Sequence, residues 1–67
     1  MFLVDASKIR TMLFTRGLTM KAFKEQSGLN GWTTRRCVRD GSKVSAKVVA
    51  TLAKFFNVDG NELILKE

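Results

Sequence analysis

The chain has 67 residues, 45% of them hydrophobic, and it carries a net charge of +6 because twelve lysines and arginines outnumber six acidic residues. This length suits a single domain, residues 1–67, and leaves no room for a second core. Histidine is absent and cysteine occurs once, which excludes an internal disulfide and argues against a metal site, a cofactor and an enzymatic function.

The N-terminal region is predicted to be a short apolar segment followed by a helix. Residues 1–4 are too few for a signal peptide or a membrane span, so we expect a cytoplasmic protein without membrane contact. The segment is either extended or a loose apolar lip that covers the core or a partner. Asp5 is placed to cap a helix from Ala6 to Arg16. The apolar spacing along that helix predicts a buried stripe of Ile9, Met12 and Leu13.

Two short helices joined by a tight turn are predicted next. Thr19 is expected to cap a helix over residues 20–27, and Gly28 to end it. Asn30 would cap the following helix, residues 31–40. Because an α-helix turns by about 100° per residue, that helix has two distinct faces. Thr34, Cys37 and Val38 lie on one face, and Trp32, Arg35, Arg36 and Arg39 lie on the other.

The only cysteine lies on the first of these faces. We interpret Cys37 as a small apolar residue of the core rather than as a reactive thiol. A single cysteine also fits a reducing compartment, which agrees with the expected cytoplasmic location.

The C-terminal part is predicted to contain one strong helix and one further helical turn. A loop at residues 41–44 precedes a helix from Ala46 to Phe56, which Ser45 caps. Asn57 is expected to end it in the left-handed conformation. Asp59 and the glutamate three residues later form a capping-box pattern that starts a single turn. Proline is absent and long β-branched runs are lacking, so we predict a compact all-α domain of five helices.

The order and spacing of these motifs resemble the phage repressor and Cro-type helix-turn-helix family, from about Ile9 to Ile64. The resemblance implies a lambda-repressor-like domain that binds double-stranded DNA, with the helix-turn-helix at helices two and three and helix three in the major groove. The matching positions are Gly17-Leu18-Thr19, Phe23, Gly28-Leu29-Asn30, and Val48, Leu52-Ala53, Phe56, Val58 and Leu63 within the segment that starts at Ser45.

The sequence departs from the family at two places in the helical core. Lys24 stands where the family usually has alanine, so its aliphatic stem would have to pack while the ammonium reaches water. Leu13 and Val38 stand where the family often pairs an arginine with a glutamate. Because both charges are replaced together, no buried charge is left alone, and we expect Leu13 and Val38 to be in contact.

Under this resemblance, the first turns of helix three contact base edges. Arg35 and Arg36 are the best candidates for forked contacts with guanine. Trp32 would contact thymine methyl groups or a sugar, or would equally well pack as a rim aromatic. Thr33 is a secondary candidate for a base or a phosphate.

The basic residues are clustered, and this clustering indicates an anionic partner. Seven of them lie between positions 21 and 47, where only Glu25 and Asp40 oppose them. A solvated, solubilising surface is the simpler alternative. The family resemblance implies a phosphate contact near the start of helix two, at Thr19, Met20 and Lys21. The other candidates for phosphate contact are Asn30, Arg39, Lys43 and Lys47. Lys8, Arg10, Lys54 and Lys66 are expected to be solvated surface.

The predicted partner is a palindromic double-stranded DNA operator, bound by a weak homodimer that tightens on DNA. The dimer surface would be formed by Met1–Val4 or by Leu63–Leu65, although either segment could instead close the core. No small-molecule ligand is expected.

The predicted function is a sequence-specific, Cro-like transcription regulator. One alternative is a protein-interaction module, such as an antitoxin or an anti-repressor target, in which the apolar ends and Trp32 bind protein. An excisionase-like architectural DNA binder is another. The arginine-rich outer face of helix three favours the DNA-binding function.

Overall fold

The structure is a computed structural model, and it describes residues 1–65. Lys66, predicted to be solvated surface, lies outside the described residues. The described chain forms a two-stranded sheet, four α-helices and one 3₁₀ turn. In chain order these are β1 (Phe2–Leu3), α1 (Ala6–Thr15), α2 (Met20–Ser27), α3 (Gly31–Cys37), β2 (Lys43–Val44), α4 (Ala46–Phe56) and the 3₁₀ turn (Gly60–Leu63).

The prediction of an all-α, five-helix, lambda-repressor-like domain is wrong, because residues 1–65 form a mixed α/β structure with four α-helices. Strands β1 and β2 pair antiparallel, with Phe2 opposite Val44 and Leu3 opposite Lys43. The fifth predicted helix is only a 3₁₀ turn. Strands of two residues are too short to produce an alternating pattern, so their pairing depends on tertiary contacts that the sequence does not display.

The predicted N-caps are confirmed in all four α-helices. Each cap side chain accepts a hydrogen bond from a backbone N–H in the first turn, and such a bond typically stabilises a helix by about 1 kcal/mol. The donor–acceptor pairs are Lys8 N to Asp5 (3.2 Å), Ala22 N to Thr19 (3.1 Å), Thr33 N to Asn30 (2.7 Å) and Val48 N to Ser45 (3.3 Å). The capping box at Asp59 and Glu62 is also confirmed.

Helices α1 and α3 end earlier than predicted. Helix α1 ends at Thr15 rather than Arg16, and α3 ends at Cys37 rather than Asp40. Helix α2 ends where predicted, because Gly28 adopts φ +77° and donates its N–H to the Lys24 carbonyl at 3.2 Å. This left-handed residue turns the chain sharply, so α3 begins soon after α2 ends.

The core lies where the four helices meet the sheet. The Phe23 ring of α2 lies 5.6 and 5.9 Å from the rings of Phe55 and Phe56 on α4. These contacts hold α2, and the turn that follows it, against the body of the protein. Met12, predicted to be buried, is only half-buried against this core. The buried apolar residues are Val4, Ala6, Ile9, Leu13, Phe23, Cys37, Val44, Leu52, Phe56 and Leu63.

The N-terminal segment is extended rather than a loose lip. Val4 is buried, and it forms an isolated antiparallel bridge with Ile64. The Leu65 N–H donates to the Leu3 carbonyl at 2.8 Å. Segment Phe2–Val4 therefore lies between β2 on one side and the chain after the 3₁₀ turn on the other.

Candidate nucleic-acid interface

The two faces of α3 differ in exposure as the sequence predicts. Thr34 and Cys37 are 2% and 0% exposed, whereas Trp32 is 70% exposed. The Thr34 hydroxyl donates to the Gly31 carbonyl at 2.9 Å, so the buried polar atom is satisfied. Val38 is half-buried and packs against the core that includes Leu13, which agrees with the predicted register of the helix. The direct Leu13–Val38 contact stays a prediction.

Cys37 is a core residue, as predicted. Its side chain is fully buried. Burial raises the pKa of the Cys37 thiol from 9.0 to about 11, although the nearby Arg36 charge acts in the opposite direction. The thiol is therefore protonated at neutral pH and packs as a small apolar group.

The outer face of α3 forms one wall of a shallow cleft. The cleft has a volume of about 370 Å³, and its lining residues are Trp32, Arg35, Arg36, Val38 and Arg39. It combines one indole with three guanidinium groups, and among residues 1–65 no carboxylate lines it. Four of the five lining residues come from the predicted outer face, so the structure brings these candidates together.

The arginines of this cleft are not neutralised by carboxylates of residues 1–65. The ion pairs in that part of the chain are Lys8–Glu62 at 3.6 Å and Arg10–Asp40 at 3.3 Å. Asp40, the carboxylate nearest to α3 in the sequence, is therefore engaged by Arg10. The positive charge of the cleft remains available to an anionic partner.

Arg36 is less exposed than its predicted place on the outer face of α3 implies. It is half-buried, and its Nη2 donates to the Lys43 carbonyl at 2.6 Å. This bond connects α3 to the start of β2. A guanidinium has five N–H donors, so Arg36 retains donors for a second partner. The sequence contains no signal for this bond, because it joins a side chain to the backbone of another element.

The predicted phosphate contacts lie in several places around α3. Met20 and Lys21 line a groove of about 460 Å³ between α2 and α3, together with Lys24, Gly31, Thr34 and Arg35. Thr19 and Asn30 are exposed caps at the starts of α2 and α3, and Thr33 is half-buried. Arg39 is exposed in the cleft, Lys43 is exposed in β2, and Lys47 is exposed in the first turn of α4.

Arg10 is exposed, as predicted, but it also makes two hydrogen bonds that the sequence did not indicate. Its Nη1 donates to the Val38 carbonyl at 2.7 Å and to the Asp40 carboxylate at 3.3 Å. Arg10 therefore connects α1 to the C-terminal end of α3. Twenty-eight positions separate Arg10 from Val38, so sequence periodicity could not reveal this contact. Lys8, also predicted to be solvated, pairs with Glu62.

Comparison of this chain with protein-family models, curated proteins and solved structures finds no match. Among residues 1–65, no helix has both the length and the apolar character needed to cross a bilayer.

Proposed function

We propose that the protein is a sequence-specific double-stranded DNA-binding transcription regulator, similar to phage repressors and Cro proteins, with α3 as its reading helix. One observation supports this most directly. The outer face of α3 presents an exposed indole and guanidinium groups that carboxylates of the described chain do not neutralise. The buried inner face packs the same helix against the core.

The chemistry of this face fits the major groove. The groove is about 12 Å wide and admits an α-helix of about 10–12 Å diameter. Arg35 and Arg36 have the forked donors that match O6 and N7 of guanine, and the Trp32 indole offers an apolar surface for a thymine methyl group. Lys21 and Arg39 have the positive charge needed for flanking phosphates.

We propose that two copies bind a palindromic site, with weak self-association that tightens on DNA. A dimer doubles the contacts across one turn of the duplex. The two predicted dimer surfaces adjoin each other, because Val4 bridges Ile64 and Leu65 bonds to Leu3. Exposed apolar side chains at Met1, Phe2 and Leu65 support a contact at this edge. The free Cys37 thiol supports a cytoplasmic location.

Exposed apolar side chains also favour a second candidate function, a protein-interaction module. Met1 is 78% exposed and Phe14 is 87% exposed, so both could bind another protein. Chromatography on heparin separates the two functions. Because its net charge of +6 retains the protein on heparin in either case, the informative comparison is between variants. Arg39→Ala should elute at a lower salt concentration than Lys54→Ala if the surface around α3 binds the polyanion, and at the same concentration if that surface does not.

The central experiment is selection of bound duplexes from a random pool, repeated with Arg35→Ala. Arg35 is preferable to Arg36 because replacing Arg36 would also remove the bond to the Lys43 carbonyl. We expect the wild type to select a defined sequence. Arg35→Ala should relax the preference at one base pair by about 1–3 kcal/mol.

Lys54→Ala is the matched control, because Lys54 lies in the last turn of α4 and lines neither the cleft nor the α2–α3 groove. It should leave the selected sequence unchanged. If Arg35→Ala keeps the wild-type ratio of affinities for selected and random duplexes, Arg35 does not read a base. If the wild type selects no sequence, the proposed function is wrong.

A further inference from the structure

The α2–α3 groove contains a lysine that no predicted contact includes. Its lining residues Lys21, Lys24 and Arg35 bring three positive charges from two helices to one groove. Glu25, next to Lys24 in the chain, does not line it. Thr34 also borders the groove, but its hydroxyl already donates to the Gly31 carbonyl. The groove is therefore rich in cations and poor in acceptors.

The Lys24 side chain lies next to Gly31, the first residue of α3. A Cβ atom added at Gly31 would lie 3.9 Å from each of Cδ, Cε and Nζ of Lys24. The outer part of the Lys24 side chain thus lies alongside the first residue of α3.

This arrangement explains how a lysine is accommodated at position 24, where the helix-turn-helix family usually has alanine. A lysine between two packed helices would be costly if its ammonium were buried. Here the side chain crosses the start of α3 and remains exposed, so its stem packs while its charge stays at the surface. The ammonium is consequently presented in the groove, on the same side as Lys21.

We propose that the α2–α3 groove is a phosphate-binding site in which Lys24, together with Lys21, binds one backbone phosphate of the duplex. The inference rests on the proposed DNA-binding function. A phosphate fits this groove better than a base edge, because lysine ammonium groups are donors only and act as point charges. Arg35 lines both this groove and the cleft on the outer face of α3, so the phosphate would lie next to the base-reading surface.

The test compares Lys24→Gln with the wild type in binding to a selected duplex and to a random-sequence duplex over a range of salt concentrations. Loss of one phosphate contact should reduce the slope of log K against log salt by about 0.9. If the variant and the wild type bind equally at 1 M salt, this change in slope lowers the affinity of the variant by about eightfold at 0.1 M salt. The factor should be the same for both duplexes. Lys24→Arg keeps the charge and should retain the wild-type slope.

Lys54→Gln is the control for removal of one charge elsewhere, since Lys54 borders a different cleft with Gln26 and Phe55. It should change the slope much less than Lys24→Gln. Because Lys24 is exposed, thermal unfolding should show that all three variants remain folded.

Three results would overturn the inference. The first is a Lys24→Gln slope equal to that of Lys54→Gln while the wild type still binds DNA; the proposed function would then survive alone. The second is a Lys24→Gln variant that changes the ratio of selected to random affinity at an unchanged slope, which would make Lys24 a base reader. The third is a wild type without salt-dependent DNA binding, which would overturn the proposed function as well.

Discussion

Cys37 is fully buried on the inner face of α3, and the raised pKa of its thiol predicts a loss of stability at alkaline pH. The unfolded thiol loses its proton near pH 9.0, whereas the folded thiol keeps it until about pH 11. Between these values the folded state holds more protons than the unfolded state, so stability falls as pH rises, by up to about 1.4 kcal/mol per pH unit. The contribution of the protonated Cys37 thiol to the free energy of unfolding is fully present below pH 9.0, and it is lost as the pH rises towards about 11.

Urea denaturation across this pH window tests the linkage, with Cys37→Ala as the reference. The variant should be less stable at neutral pH, because a buried sulfur is removed, but its stability should depend less on pH. Equal pH dependence in the two proteins would show that the thiol titrates alike in the folded and unfolded states.

The burial of Cys37 could be predicted from the sequence, whereas that of Arg36 could not. The place of Cys37 on the inner face of α3 follows from helical periodicity, which depends only on local geometry. By contrast, the half-burial of Arg36 accompanies its bond to the Lys43 carbonyl. A bond to the backbone of another element has no counterpart in side-chain spacing.

At the scale of elements, the helices were predictable and the sheet was not. Helix starts depend on a cap side chain and a neighbouring backbone N–H, so Thr19 and Asn30 could be identified from the sequence. The predicted ends of α1 and α3 were less accurate than the predicted starts, because the last turn of a helix depends on its surroundings. At the C-terminal end of α3, Arg10 of α1 donates a hydrogen bond to the carbonyl of Val38, the residue that follows the helix.

This contact predicts that Arg10 stabilises the C-terminal end of α3. Replacing Arg10 with alanine removes the bonds to Val38 and Asp40, and we expect a loss of about 0.5–1 kcal/mol, since the pair is solvent-exposed. Amide hydrogen exchange should accelerate at Arg39, whose N–H donates to the Arg36 carbonyl at 3.2 Å. Urea denaturation and hydrogen exchange measure the two effects.

Asp40→Asn is the matched variant, because it removes the ion pair and leaves the bond from Arg10 to the Val38 carbonyl. It should therefore have a smaller effect on both stability and exchange. An Arg10→Ala protein with wild-type exchange at the end of α3 would rule out this role for Arg10.

At the scale of the whole molecule, the N-terminal segment joins parts of the chain that are far apart in sequence. It hydrogen-bonds to β2, and it also contacts the chain after the 3₁₀ turn at Val4 and Leu3. The apolar character of residues 1–4 predicted a covering role. The strand pairing could not be predicted, because each strand contains only two residues.

Val4→Ala tests this joining role. Val4 is 1% exposed, so loss of its two methyl groups should destabilise the protein by about 2 kcal/mol through lost burial and the remaining cavity. Phe14→Ala is the control, because Phe14 is 87% exposed and its replacement should change stability by less than about 0.5 kcal/mol. Thermal and urea unfolding provide the comparison. Similar stabilities for the two variants would mean that the N-terminal segment is not part of the core.

The exposure of Trp32 has a consequence for how this molecule can be observed. The chain contains one tryptophan and no tyrosine, and that tryptophan is 70% exposed on the outer face of α3. Intrinsic fluorescence excited at the indole band therefore originates from this face alone. Helix α3 therefore carries an intrinsic fluorophore, and its emission can be followed during a titration without attaching a dye.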